Sequence, residues 1–211
     1  MNLKKRVAVT LVCLGLMLSS ALAQDHKNEL GLLLGGPVTP SLGIANQSAD
    51  ITFGSGLTYQ ATYARRLASA KVGALYFEVP FLAAPLINVS SSDPSVPINY
   101  ASIYITPGVR LKLVPDSAIS PWVSVGGGYA RFHESAERQD GTPNTGRVGA
   151  NRGAAQFGGG LDFRTPLKII FPIYLRVEVR DIYSGKPNYN VNTGGGFQHT
   201  VLFSGGFVVS F

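Results

Sequence analysis

The stretch Gln198-His199-Thr200-Val201-Leu202-Phe203-Ser204-Gly205-Gly206-Phe207-Val208-Val209-Ser210-Phe211 places Val201, Phe203, Phe207, Val209 and Phe211 on one side of a two-residue alternation. A period of two is the mark of a β-strand with two unlike faces. It fixes a strand but not which face meets what.

The same period recurs upstream. From Ile173 to Asp181, Ile173, Leu175, Val177 and Val179 alternate with Tyr174, Arg176, Glu178 and Arg180. Between Asn99 and Leu113, Ile103, Ile105, Val109, Leu111 and Leu113 face away from Tyr104, Thr106, Arg110 and Lys112. Leu75, Phe77, Val79 and Phe81 oppose Tyr76 and Glu78. Eight segments are predicted, near 28–36, 53–66, 71–83, 99–113, 120–134, 152–165, 171–184 and 198–211. Strands rise ~3.3 Å per residue, so the later segments can cross a tilted bilayer path.

The connections alternate strictly in length. Leu67–Ala70, Val114–Ile119 and Pro166–Ile170 are short; Pro37–Thr52, Ala84–Ile98, Ser135–Asn151 and Gly185–Phe197 are long and rich in Gly, Pro, Ser and Asn. An up-and-down barrel with both termini in the periplasm has short turns on that side and long loops outside. An open sheet in lipid would leave edge N–H and C=O groups unpaired, so strands spanning a bilayer close into a ring. The expected fold is therefore all-β, an eight-stranded antiparallel up-and-down transmembrane barrel.

Alternation alone fits a soluble barrel with an apolar interior equally well. Composition separates the two. Glu78, Arg110, Lys112, Asp162, Arg164, Arg176, Glu178 and Arg180 mix both signs on one face and are interspersed with Gly126, Gly128, Gly158 and Gly160. Small residues beside large ions suit a narrow lumen in which guanidinium and carboxylate groups pair. This set is the expected lumen charge cluster. Aromatic residues such as Tyr59, Tyr63, Tyr129, Tyr183 and Phe203 fall near segment ends, where amphipathic rings favour the headgroup region.

Residues 1–23 are expected to be a signal peptide. Lys4, Lys5 and Arg6 precede the apolar run Val7–Leu18, and Ala21-Leu22-Ala23 supplies small residues for cleavage after Ala23. The run is too short to cross ~30 Å of hydrocarbon as a helix. Cys13 is the sole cysteine, so the 188 residues that follow Ala23 (211 − 23) contain no thiol and no disulfide framework. Removing the three leader cations lowers the formal charge from +6 to +3, with 15 basic and 12 acidic residues scattered, which gives no case for nucleic acid. Residues 24–211 carry no linker-like stretch and are expected to form one domain.

The chain resembles the small eight-stranded outer-membrane barrels of the OmpA/OmpX-like type. The residues carrying the resemblance are Ala21-Leu22-Ala23, Ser120 to Phe132 with Gly126-Gly127-Gly128-Tyr129, and the terminal stretch quoted above. The resemblance implies residence in the cell outer membrane of a Gram-negative bacterium. It also implies contact with outer-membrane lipid and lipopolysaccharide, and recognition of a C-terminal signal by the barrel-assembly machinery. Phe203, Phe207, Val209 and Phe211 match that signal. The extracellular ligand is unspecified.

Reactive residues are few. His133 and Ser135 superficially resemble the His-x-Ser pair of lipid A deacylase barrels, but the stretch after Ser135, where that family has its acid, reads Gly146-Arg147-Val148-Gly149. His26 and His199 have no neighbour at metal-ligand spacing, and the glycine triplets lack the helix and Lys-Ser/Thr of a phosphate loop. No catalytic, cofactor or metal residue is expected. The expected role is structural or surface interaction through four external loops. A narrow channel or small-solute porin is the alternative, and a lipid-modifying enzyme the third.

Overall fold

A computed structural model describes residues 27–168 and 171–211, with the side chains of 167 and 168 left aside. The expected leader and its cleavage site lie outside the described residues. Eleven strands are present: β1 (Asn28–Val38), β2 (Leu42–Gly43), β3 (Asp50–Phe53), β4 (Thr58–Ala70), β5 (Gly73–Ser91), β6 (Asn99–Ile105), β7 (Gly108–Leu113), β8 (Ile119–Glu134), β9 (Ala150–Lys168), β10 (Pro172–Gly185) and β11 (Phe197–Ser210).

These make an eight-membered ring. The strands β6 and β7 form one stave, since both pair with β5 and β8. The break falls at Thr106-Pro107, where proline has no N–H to give the ladder. Gly127 N–H reaches across to Pro107 O at 3.0 Å. The ring closes where β1 pairs with β11 from Glu29↔Ser210 to Val38↔Val201. Reciprocal 2.8 Å bonds between Asn28 and Phe211 seal its end. Closure leaves the eight staves no free edge in the hydrocarbon layer.

Two of the expected long loops are strand for a good part of their length, the expected short turn Leu67–Ala70 is the end of β4 with the turn itself at Lys71-Val72, and the expected turn at 166–170 begins as the end of β9. The stave expected to end near residue 83 continues as β5 to Ser91, and the segment 37–52 contains β2 and most of β3, which pairs Ile51 with Ser91. Pro85 makes this stretch look like a breaker in sequence. The sheet absorbs Pro85 as a register shift between Ala84 and Ile87. The stave expected to begin at 53 begins instead at Thr58.

The facing is unambiguous. Glu78, Arg110 and Arg180 are completely buried inside the ring, and Arg176 is 1% exposed. Leu30, Leu32 and Leu34 of β1, Val123 and Val125 of β8, Val177 and Val179 of β10, and Phe203 and Phe207 of β11 all lie on the outer wall. Ions inside a closed ring and aliphatic rows outside are the inverse of a soluble barrel. Tyrosines mark the two rims of the apolar band. Tyr63 OH donates to Asn28 Oδ1 at 2.9 Å near the termini, and Tyr129 OH to Asn151 Oδ1 at 2.6 Å near the loops.

The interior has two storeys. Near the termini and short turns it is ionic. Near the loops it is mostly aromatic and aliphatic, built from Leu82, Ile87, Val89, Tyr100, Tyr104, Phe132, Ile182 and Leu202, with buried Ser102, Glu134, Gln198 and Thr200 among them and Ile44, Ile51, Val96 and Tyr189 packed on from the loop segments.

Candidate functional site: the lumen and its loop cap

The ionic storey pairs four cations, Arg110, Lys112, Arg176 and Arg180, with four carboxylates, Glu29, Glu78, Asp162 and Glu178. Asp162 and Arg176 are direct cross-strand partners on β9 and β10. Arg176 Nε donates to Asp162 Oδ1 at 2.6 Å and its Nη2 to Oδ2 at 2.8 Å. Lys112 Nζ adds a 2.7 Å contact to Oδ2. Arg180 donates to Glu178 at 2.6 Å, to Glu78 at 2.9 Å and to Gln156 Oε1 at 2.9 Å. Gln60 Nε2 donates to Glu178 at 2.7 Å.

Glu29 is the hub that the sequence does not advertise. It accepts from Arg110 and Arg176 through Oε2 and from Lys112 through Oε1. It stands second in a strand that otherwise reads Leu-Gly-Leu-Leu-Leu, so its alternation gives only one inward ion. Its inward parity was the available signal. Arg164 is the converse: it shares the inward parity of Asp162 but stands at the barrel mouth, exposed, beside Asp116, Lys112 and Tyr174 around a polar vestibule of about 280 Å³. It lies one register step beyond the last ion of the network, where the wall ends and solvent begins.

Trp122 fills the centre of this storey. Its Nε1 donates to Asp162 Oδ1 at 3.2 Å, and the guanidinium carbons of Arg110, Arg176 and Arg180 lie 5.6, 5.1 and 5.3 Å from its ring. Contacts of this kind add attraction between cation and ring face. Space for the indole comes from Gly160, where a Cβ would stand 2.7 Å from Trp122 Cζ2, and Arg180 has similar room beside Gly158. The ions thus pair across the lumen around Trp122, and an aromatic and aliphatic cluster stands above them toward the loops.

Above the apolar storey the loops are tied together. Asn190, with φ 62°, donates through Nδ2 to Ser95 O at 3.0 Å and to Asn144 Oδ1 at 2.9 Å. One side chain of the last loop thereby holds the second and third. Asn188 N–H donates to Glu134 Oε1 at 2.6 Å, and its Nδ2 to Arg147 O at 3.0 Å. Ala45 N–H donates to Asn192 O at 2.7 Å, adding the first loop. Tyr189 hangs beneath, its hydroxyl donating to Gln198 Oε1 at 3.1 Å, and burial pushes its phenol well up from the ordinary value.

His133 and Ser135 are not joined. His133 is exposed on the outer wall, while Ser135 Oγ accepts from Glu137 N–H at 3.0 Å in a local turn. His199 has a partner not expected from sequence: its Nδ1 lies 2.9 Å from Asp181 Oδ2 on the outer wall, beside the stacked rings of Tyr183 and Phe197. Phe203 and Phe207 project outward from β11, with Val209 and Phe211 partly covered on the same row. Among the described residues no cluster of three or more His, Cys, Asp or Glu has metal-site geometry.

This geometry is that of a small membrane-spanning barrel with a charge-paired interior. Solved structures share the fold. Neisserial surface protein A is similar over 87% of this chain and 97% of its own, at 14% identity and a TM-score of 0.56. The outer membrane protein OprG from Pseudomonas aeruginosa covers 90% and 98% at 14% identity and a TM-score of 0.46, and the outer membrane enzyme PagL covers 87% and 99% at 16% identity and 0.43. The resemblance to eight-stranded outer-membrane barrels therefore holds at the level of fold. No protein-family model matches the chain, and no curated protein sequence matches it significantly.

Proposed function

We propose that this protein is a non-catalytic, non-conducting barrel of the outer membrane that holds a stiff four-loop platform at the cell surface. The observation that carries the reading is the continuity of the interior. Ion pairs around Trp122, the aromatic cluster above them and the loops stapled through Asn190 occupy successive levels of the barrel. A barrel so occupied suits the anchoring of a surface better than the passage of a solute. A built platform also spares a binding partner the ordering entropy that mobile loops would demand.

The single cysteine, Cys13, falls in the expected leader and is lost with it on cleavage after Ala23, so introduced cysteines then report cleanly. A membrane-impermeant maleimide applied to intact cells is expected to label Thr142→Cys in the third long loop and to leave Asp116→Cys in a short turn unlabelled until the cells are broken. Labelling of Asp116→Cys alone in intact cells would reverse the orientation. Equal labelling of both in a soluble periplasmic extract would remove the membrane reading.

A further inference from the structure

The described charges are unevenly distributed along the barrel axis. The lumenal ions balance, and the loop end mixes both signs. The short-turn end carries Lys27, Arg65, Arg66, Lys71 and Arg164 against the single side-chain carboxylate of Asp116. Part of that excess is gathered into a groove of about 520 Å³ lined by Lys27, Arg65, Arg66, Leu67, Ala68 and Ser69, with no acidic residue among them. Neither Lys27 nor Arg65 has a salt-bridge partner among the described residues.

Arg65 belongs to the lipid-facing row of β4. Going up that row from Arg65 come Tyr63, Ala61 and Tyr59. Ala61 is flanked in register by Leu32 on β1 and Phe81 on β5, and its small side chain leaves a notch between them. The notch is the floor of an apolar groove of about 390 Å³, continued by Leu34 and Tyr59. Four strand residues at ~3.3 Å each separate Arg65 from Ala61, about 13 Å along the strand and, at a tilt of ~45°, about 9 Å in depth, which stays within the ~15 Å of one leaflet. A cationic pocket at the rim, between Lys27 and β4, and an apolar groove above it in the same leaflet, on β1, β4 and β5, match the headgroup and an acyl chain of one lipid.

We infer that the β1–β4 wall holds one anionic glycerophospholipid of the periplasmic leaflet, with its phosphate between Lys27 and Arg65 and an acyl chain in the notch at Ala61. The inference rests on the orientation proposed above, since only the periplasmic leaflet meets the short-turn end. The two cations supply attraction to anionic headgroups of about 1 kcal/mol each. The notch supplies shape for the chain and is blind to the headgroup.

The test is native mass spectrometry of the folded, delipidated protein in detergent, titrated with phosphatidylglycerol and with phosphatidylcholine of the same acyl chains. The wild type is expected to take up one phosphatidylglycerol in preference. Lys27→Ala with Arg65→Ala is expected to weaken phosphatidylglycerol about thirty-fold and to erase the preference. Ala61→Leu, which fills the notch without touching charge, is expected to weaken both lipids alike. Equal uptake of the two lipids by the wild type, a preference that survives loss of both cations, or indifference to Ala61→Leu would each overturn the site. Since binding in detergent does not depend on orientation in cells, failure here is separable from failure of the maleimide experiment.

Discussion

The guanidinium of Arg176 grips the carboxylate of Asp162 with two parallel hydrogen bonds, 2.6 and 2.8 Å, between directly opposed residues of β9 and β10. Removing one member of a buried pair strands the other charge, whereas removing both need not, because desolvation offsets most of the attraction. Asp162→Leu alone is expected to destabilise the barrel by about 3–5 kcal/mol. Adding Arg176→Met should recover a large part of that loss, since Lys112 and Arg110 retain Glu29. Urea unfolding of the vesicle-inserted protein followed by tryptophan fluorescence gives both values, and a double variant less stable than either single one would refute the pairing.

Glycine in β9 is present for space. At Gly160 a Cβ would lie 2.5 Å from Val177 O and 2.7 Å from Trp122 Cζ2, while at Gly153 nothing lies within 4 Å. Gly160→Ala is expected to lower stability by about 1–3 kcal/mol through overpacking. Gly153→Ala should stay within about 0.5 kcal/mol of the wild type. Unfolding midpoints of the two variants, measured side by side, decide it.

Asn190 holds the loop cap in two ways, by its left-handed backbone and by its amide. Asn190→Gly keeps the backbone and loses the bonds to Ser95 and Asn144, and Asn190→Ala loses both. Hydrogen exchange in residues 92–98 and 140–149 is expected to rise in Asn190→Gly and further in Asn190→Ala, with barrel amides unchanged. Unaltered loop exchange in both variants would contradict a stapled platform.

The loops also carry an acid-sensitive element. Asp93 accepts from Ser95 N–H at 2.9 Å and from its hydroxyl at 2.5 Å, and Asp140 accepts from Thr142 N–H at 2.9 Å and its hydroxyl at 2.6 Å. Hydrogen bonding by Ser95 and by Thr142 holds each carboxyl below its ordinary value of 3.8. Stabilisation from a depressed carboxyl is full above the unfolded value and is lost as pH falls through the folded one. The turns are thus expected to keep their form down to about pH 4 and loosen below it. Amide shifts of Ser95 and Thr142 in an acid titration should move with midpoints below 3.8; a midpoint above that value would contradict the assignment.

Much of the ring was readable because staves such as Ile173–Arg180 alternate cleanly, and a lipid wall facing an ionic lumen demands that alternation. The facing was readable from mixed-sign ions next to glycine. Two things were not. Pro85 conceals the upper part of β5, because a closed barrel can absorb a missing N–H through a register shift that no local rule anticipates. Glu29 and Trp122 acquire their roles only when β1 closes on β11 and β7, β8 and β9 fold around them, which brings together residues up to 147 positions apart. Periodicity marks such a residue as inward but not as a hub. Arg164 shows the same limit, since parity says which way a side chain points and not whether the lumen still surrounds it.

A lumen occupied by ion pairs, Trp122 and the aromatic storey should pass no current. Planar-bilayer recording of the purified, folded protein tests it most directly. Membranes that have demonstrably incorporated protein, shown by gel-mobility shift of the recovered sample, are expected to show no stable unitary conductance across physiological voltages and salt. A reproducible ohmic conductance in the wild type, altered by Trp122→Ala or Arg180→Ala, would show an open path through the lumen and contradict the account.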